Sequence, residues 1–271
     1  MENKIAPVYI EKLFKSKNPG LAKWTPGFVF SFLKKLICQD RINDFISKYS
    51  HVYGLDFANG ILEYLDIKYK TEGEDRLPSP EGRYIFVSNH PLGGPDGIIL
   101  IAFLGKHYKT LKFPVNDLLM NLKNLNDIFL PVNKHGGLTR DAVADIEKAF
   151  ESDAQIITFP AGMVSRKYGG KIEDPQWQKN FITKAVRHKR DIVPLFVSGN
   201  NSKLFYRIFK IRKFFGIKTN FEMFLLPRET FGHENKTFTI KVGKPIPYTS
   251  FSKEKTPQAW ADTVKQAVYG L

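Results

Sequence analysis

The chain of 271 residues has a single cysteine, Cys38, which excludes an internal disulfide and any metal site of clustered thiolates and suits a reducing compartment. Its histidines fall at 51, 90, 107, 135, 188 and 233, with no His-x3-His pair, so no helical metal-ligand spacing is encoded. No run of about 18 consecutive apolar residues occurs. The first thirty residues carry Glu2, Lys4, Glu11, Lys12, Lys15, Lys17 and Lys23 where a signal peptide has its uninterrupted apolar stretch. The expectation is a chain neither exported nor membrane-spanning. Acidic residues are the scarcer charge, 27 against 41 Lys and Arg, for a net charge of +14. That surplus calls for an anionic partner: nucleic acid, an anionic bilayer or an acidic carrier protein. Zinc-finger spacing, an RRM-like aromatic block and a basic tail are all missing, which counts against nucleic acid. Internal repeats and low-complexity segments are missing too.

What is present is apolar and aromatic in bulk, 42% and 14% of residues, enough to bury a full core. After a loop over 71–82, strand-like and helix-like segments alternate. Strands are expected at 84–87, 111–115, 128–132, 155–159, 192–197 and 237–242. Helices are expected through Leu104 and over 118–125, 139–151, 175–188, from about Ser202, and 257–269. Thr139 before Arg140-Asp141 and Asp174 before Pro175 read as helix starts. Alternation of this kind implies an α/β fold: a mainly parallel sheet covered by helices on both faces, with a helical N-terminal appendage. The division expected is 1–70 for a helical, membrane-interface segment and 71–271 for the main domain.

Two segments mix rings and cations. From Trp24 to Ile46, Phe28, Phe30, Phe32, Leu33, Leu36 and Ile37 interleave with Lys23, Lys34, Lys35 and Arg41. From Leu204 to Phe215, cations at 207, 210, 212 and 213 form one helical face. Each reads either as an amphipathic helix covering the core or as an interfacial helix at a lipid surface.

The most informative stretch is Ser88-Asn89-His90-Pro91-Leu92-Gly93-Gly94-Pro95-Asp96-Gly97, after the apolar run Tyr84–Val87 and before that from Ile98 to Leu104. His90 is therefore expected at a strand end, followed by a tight turn rich in Gly and Pro. Across that turn Asp96 can bond to the imidazole, fix its tautomer and stabilise the imidazolium, which makes a general base with its orienting group. Asp96 can also cap the helix that follows, and Asn89 braces the turn.

These residues resemble the His-x4-Asp signature of the glycerolipid acyltransferase superfamily, the lysophosphatidic acid acyltransferase or PlsC-like enzymes. Phe159-Pro160-Ala161-Gly162 resembles the family's Phe-Pro-Glu-Gly block. Asp127–Lys134 and Ile192-Val193-Pro194-Leu195 resemble two further blocks, in the same order. The resemblance covers roughly residues 80–200. Two departures stand out: five residues separate His90 from Asp96, so the turn must bulge at Gly93-Gly94, and Ala161 replaces Glu. Both are similar to the hemolysin-like and lyso-ornithine-lipid O-acyltransferase branch.

The resemblance implies O-acyl transfer from acyl-ACP or acyl-CoA to a lysolipid hydroxyl, on a lyso-amino-acid lipid or lysophosphatidic acid, with His90 and Asp96 catalytic and no bound cofactor or metal. Lys134 stands where the family has an Arg that binds the acceptor phosphate, with Arg140 six residues on. Gly162 is expected to let backbone N–H groups face an oxyanion. Ser165, Arg166, Lys167 and Lys171 form a basic loop that reads either as a grip for the acceptor's anionic head group or as a solvated surface loop. An acyl-enzyme is not expected, because Cys38 lies far from these blocks and no Gly-x-Ser-x-Gly elbow occurs. The expected location is peripheral, on the cytoplasmic side of an anionic membrane. The alternative is a non-catalytic lipid- or membrane-binding protein that keeps the fold.

Overall fold

The computed structural model describes residues 7–17, 19–116, 119–132 and 140–271; side chains at 13, 14, 16, 17, 19, 21, 22, 121 and 140–142 lie outside the description. In chain order the helices are α1 (Ile10–Lys17), α2 (Pro19–Trp24), α3 (Gly27–Leu36), α4 (Gln39–Tyr49), α5 (Gly54–Tyr64), α6 (Pro95–Leu104), α7 (Arg140–Glu151), α8 (Asn180–His188), α9 (Lys203–Phe214), α10 (Leu226–Gly232) and α11 (Pro257–Tyr269). The strands are β1 (Lys68–Glu72), β2 (Tyr84–Ser88), β3 (Leu111–Val115), β4 (Phe129–Pro131), β5 (Gln155–Thr158), β6 (Arg166–Tyr168), β7 (Lys171–Glu173), β8 (Asp191–Val197) and β9 (Thr237–Val242).

Seven strands form one sheet in the order β1-β9-β8-β2-β5-β3-β4, and β6 and β7 make a separate hairpin. Every pairing in the large sheet is parallel except β8 with β9. Successive side chains of the central strands face opposite cores, as a two-sided sheet requires. Phe86, Ile157, Val193 and Leu195 pack beneath α5 and α6. Ile85, Val87, Ile156 and Ile192 pack against α8 and α11. The expected fold class is thus the one observed. All ten residues of α6 are buried, which explains why its sequence is apolar on every side: it lies between the sheet and α5.

Four expectations change. The helix expected over 118–125 is replaced by 3₁₀ turns at Leu119–Asn121 and Lys123–Leu125. Asparagine side chains take over backbone partners there: Asn116 Oδ1 accepts from Leu119 N–H (3.3 Å), and buried Asn124 donates to the carbonyls of Tyr49, Ser50 and Val52. The helix expected from Pro175 begins at Asn180, because the carboxylate of Asp174 is turned elsewhere. The loop expected before Asp174 contains the β6–β7 hairpin, closed by Gly169 and Gly170 at positive φ. Finally, the division expected after residue 70 falls inside β1, which pairs with β9 along its whole length, while α5 packs on α6 and buries Phe57 completely. The alternating Lys-Tyr-Lys-Thr-Glu of β1, with no buried residue, reads as a solvated linker, which is why its place at the sheet edge was not foreseen.

One buried titratable group carries a stability signature. His233, 2% exposed, donates through Nε2 to Asn201 Oδ1 (3.2 Å) and packs edge-on to Phe238. Burial, aided by Lys236, lowers its pKa to about 4. Below about pH 6.5 the unfolded chain takes up a proton that the folded one refuses until near pH 4. Its contribution is complete above pH 6.5 and is lost as pH falls toward 4, about 3 kcal/mol in all. Denaturant titrations from pH 7 to 4 should show that drop, and His233→Gln should flatten it.

Candidate active site

The parallel strands β2, β5 and β8 all end on one side of the sheet, and β2 lies between the other two. Crevices at such carboxyl ends are where α/β sheets bind ligands. Asn89, just past β2, clamps this end shut: Nδ2 donates to Val197 O (2.9 Å) and Oδ1 accepts from Val197 N–H (2.7 Å). This is the bracing role expected of it. His90 follows at the rim with its side chain 15% exposed.

The imidazole is held from two directions. Nδ1 lies 2.9 Å from Asp96 Oδ2, so the carboxylate selects the Nδ1–H tautomer and leaves Nε2 as the basic nitrogen. Phe159 stacks on the ring with centroids 4.0 Å apart and planes 14° apart. Asp96 is fully buried in the first turn of α6; Gly94, rather than Asp96, is the N-cap. Its oxygens accept N–H bonds from Leu92 (2.8 Å), Gly93 (3.3 Å) and Gly97 (2.9 Å), so the carboxylate closes the turn it orients from. Burial alone would raise its pKa, but His90 and these N–H groups together hold it below the usual carboxylate range. The bulge demanded by five intervening residues sits at Gly93, with φ 89°.

His90 and the first turn of α6 open into a cavity of about 640 Å³. Its walls are mostly apolar, including Phe113, Leu119, Leu122, Phe129, Phe150 and Phe181. Among the described residues, Lys184 is the cation on its lining, paired with Glu147, which also faces Arg187 and His188. Glu147, Glu151 and His188 bring potential metal ligands close together, but Glu147 is already engaged by these cations. An apolar chamber beside an oriented imidazole suits a long-chain substrate whose reacting group must lose a proton.

The other expected site residues divide. Gly162 lines the cavity at φ 60°, but its N–H donates to Phe159 O (2.9 Å) within the turn and is not free for an oxyanion. Ser165 is buried: its N–H donates to His90 O (2.7 Å) and its hydroxyl to Asp174 Oδ1 (2.6 Å), so it holds His90 instead of a head group. Arg166, 2% exposed, does not reach the cavity. Its guanidinium pairs with buried Glu222 (3.1 Å), donates to Val164 O (2.6 Å) and lies over the rings of Phe205 and Phe209. Desolvation lowers its pKa against the pull of Glu222, and Arg212 shares the same carboxylate. The short hairpin turns this side chain toward α9 and its burial there uses up the fork that would have gripped an anion. Lys167 and Lys171 are exposed on the hairpin, away from the lining. Lys134 lies outside the described residues, as does the side chain of Arg140, although its backbone opens α7.

Two residues at the site went unforeseen. Lys184 gives no signal in a lysine-rich chain. Asp174 carries one, an acid next to Pro175 that suggests a helix start; in the fold it is 1% exposed and its Oδ1 accepts the His90 N–H (3.1 Å).

A family model described as Acyltransferase matches residues 12–271. The lyso-glycine lipid O-acyltransferase of Bacteroides thetaiotaomicron is 46% identical over 263 residues, covering 97% of this chain and 96% of that protein. Its namesake from Phocaeicola vulgatus is 45% identical over 271 residues, covering 100% and 97%. Among solved structures, the 1-acyl-sn-glycerophosphate (LPA) acyltransferase PlsC from Thermotoga maritima aligns at a TM-score of 0.49 and 16% identity over 96% of this chain and 94% of its own.

The turn makes one prediction. A Cβ at Gly93 would meet Leu226 Cδ2 at 2.6 Å and would sit on a positive φ, whereas one at Gly94 would meet only Thr230 Oγ1 at 3.1 Å. Gly93→Ala should cost about 1–3 kcal/mol, a fall in Tm of several degrees by calorimetry, and Gly94→Ala should cost clearly less.

Proposed function

The chain belongs to the acyltransferase family, and from that premise we propose that it moves a fatty acyl group from acyl-ACP or acyl-CoA to the hydroxyl of a lysolipid, with His90 as the base. The observation that carries this reading is the His90–Asp96 pair, 2.9 Å apart, opening into the apolar cavity. Nε2 takes the proton of the acceptor hydroxyl while its oxygen attacks the thioester carbonyl. Asp96 stabilises the imidazolium so formed. Collapse of the tetrahedral intermediate breaks the C–S bond, the departing thiolate takes the proton back from His90, and the ester and a free carrier thiol are the products. This chemistry needs no bound cofactor.

For the acceptor, the names of the two curated relatives support a lyso-glycine lipid over lysophosphatidic acid. Such a molecule offers a hydroxyl on its 3-hydroxyacyl chain and a carboxylate head. The carrier of the donor is open between ACP and CoA, and an acidic carrier protein suits a net charge of +14.

A lipid acceptor also gives the exposed rings a use. No described helix is long and apolar enough to cross a membrane. Trp24 is 87% and Phe28 74% exposed, and Phe214 is 82% exposed, with Phe215, Phe221 and Phe224 exposed as well. Leu36 packs into the small core of Val164, Phe205 and Leu226 that adjoins Gly93. Both ring-bearing segments therefore contribute to one small core beside the catalytic turn, α3 through Leu36 and α9 through Phe205. With Lys35, Lys210, Lys213 and Lys218 exposed around them, they support peripheral docking on an anionic leaflet, on the cytoplasmic side where the thioester donors are.

Purified protein offered lyso-glycine lipid, lyso-ornithine lipid and lysophosphatidic acid, each with both thioesters, should acylate the lyso-glycine lipid fastest. Turnover of lysophosphatidic acid alone overturns the acceptor assignment. His90→Ala should abolish transfer, and Asp96→Asn should lower kcat by about 10⁴; an active His90→Ala leaves the non-catalytic lipid-binding reading. Phe214→Ser with Phe215→Ser should release the protein from anionic vesicles without shifting its Tm. Unchanged sedimentation of that variant would remove α9 from the membrane surface.

A further inference from the structure

Asp96 and Phe159 fix the ring of His90, but neither touches its main chain. Beyond the end of β2 the peptide groups of His90 have no strand partner, and both are held by one loop. Its N–H donates to Asp174 Oδ1 (3.1 Å) and its C=O accepts from Ser165 N–H (2.7 Å). We propose that Asp174 is a positioning residue for acyl transfer, a second buried carboxylate that locks the backbone of His90 and so aims the imidazole into the cavity. The proposal rests on His90 being the base, as read above.

The chemistry of the position asks for a carboxylate. Three donors converge on this side chain: the His90 N–H and the Ser165 hydroxyl on Oδ1, and the Trp177 indole N–H on Oδ2 at 2.9 Å. Only an acceptor on both sides serves all three; an amide of the same shape turns an NH₂ toward one of them. Among the described contacts no cation touches the carboxylate. Desolvation raises its pKa in spite of the Ser165, Trp177 and His90 donors, so the ionised form is held at a cost that burial of a neutral residue would avoid.

The loop is itself anchored. Asp174 N–H donates to Tyr269 Oη (2.7 Å) and Asp174 O accepts from Lys265 Nζ (2.7 Å), both on α11. Through a single residue the last helix of the chain is thus tied to the base at the end of β2. A misplacement of about 1 Å in such a group costs on the order of 10² in rate.

The test compares Asp174→Asn with Trp177→Phe, which removes a donor to the same carboxylate and no bond to His90; Trp177 is fully buried and does not line the cavity. Asp174→Asn should lower kcat by about 10–100-fold while both substrates keep their KM within about twofold. It should also shift the downfield Nδ1–H proton resonance of His90, assigned by its loss in His90→Gln. Trp177→Phe should lower Tm but keep kcat and the resonance near wild type. Equal loss of kcat in the two variants, or wild-type kcat and resonance in Asp174→Asn, would overturn the proposal. If Asp174→Asn does not fold, Asp174→Glu, which keeps the charge but moves it by one methylene away from the His90 N–H, carries the test, with a severalfold fall in kcat at constant KM expected and no change overturning it. A wild-type protein that acylates nothing, or an active His90→Ala, would instead sink the reading of His90 as base; the resonance comparison would still report whether Asp174 holds that residue.

Discussion

A carboxylate without solvent contact holds this site together. Asp96 takes N–H bonds from Leu92, Gly93 and Gly97 and offers its remaining capacity to His90 Nδ1. An ionised group in that position is expensive unless each lone pair is used. The turn therefore wraps around the charge, and the imidazole completes the wrapping. Formation of the turn and orientation of the imidazole are one event. The one-residue bulge at Gly93 follows from this demand: a turn that long closes on the carboxylate only if one residue enters the left-handed region, and only a residue without a side chain fits between Leu226 and Val164.

Around that centre the fold assigns each neighbour a single job. Asn89 joins β2 to β8 where the sheet ladder ends, Phe159 covers one face of the ring, and the 165–174 loop holds the backbone of His90. The cavity is left with apolar walls, because the polar groups nearest the base are spent on one another. Such a site sets the imidazole among apolar walls in surroundings of low dielectric, where any developing charge feels fixed dipoles most strongly.

The basic loop shows how burial changes the meaning of a charge. Arg166 and Arg212 converge on Glu222 inside the molecule and stack with Phe209, and this ion-pair group sits under the exposed rings of α9 and the following turn. The cations that remain in solvent, Lys210, Lys213 and Lys218 among them, belong to the surface that carries those rings. Charges near one another in sequence have thus been divided between structure and surface by which face of a strand or helix they occupy.

What the sequence determined by itself was local or periodic. The apolar run at 84–87, the strand-like segment at 155–159 and the alternation with helical segments were enough for a two-sided parallel sheet. His90, Asp96 and the glycines between them specify their own turn, because six residues of chain can bring only a few groups into contact. Tertiary structure decided everything that depends on a second segment. Whether Arg166 faces an acceptor or Glu222 depends on α9, some forty residues away. The use of Asp174 as a backbone clamp instead of a helix cap depends on His90, Trp177 and α11 meeting around it. β1 becomes a strand only because β9 offers an edge. Side-chain type limits which partners are possible, but burial and direction choose among them, and both are set by elements distant in the chain.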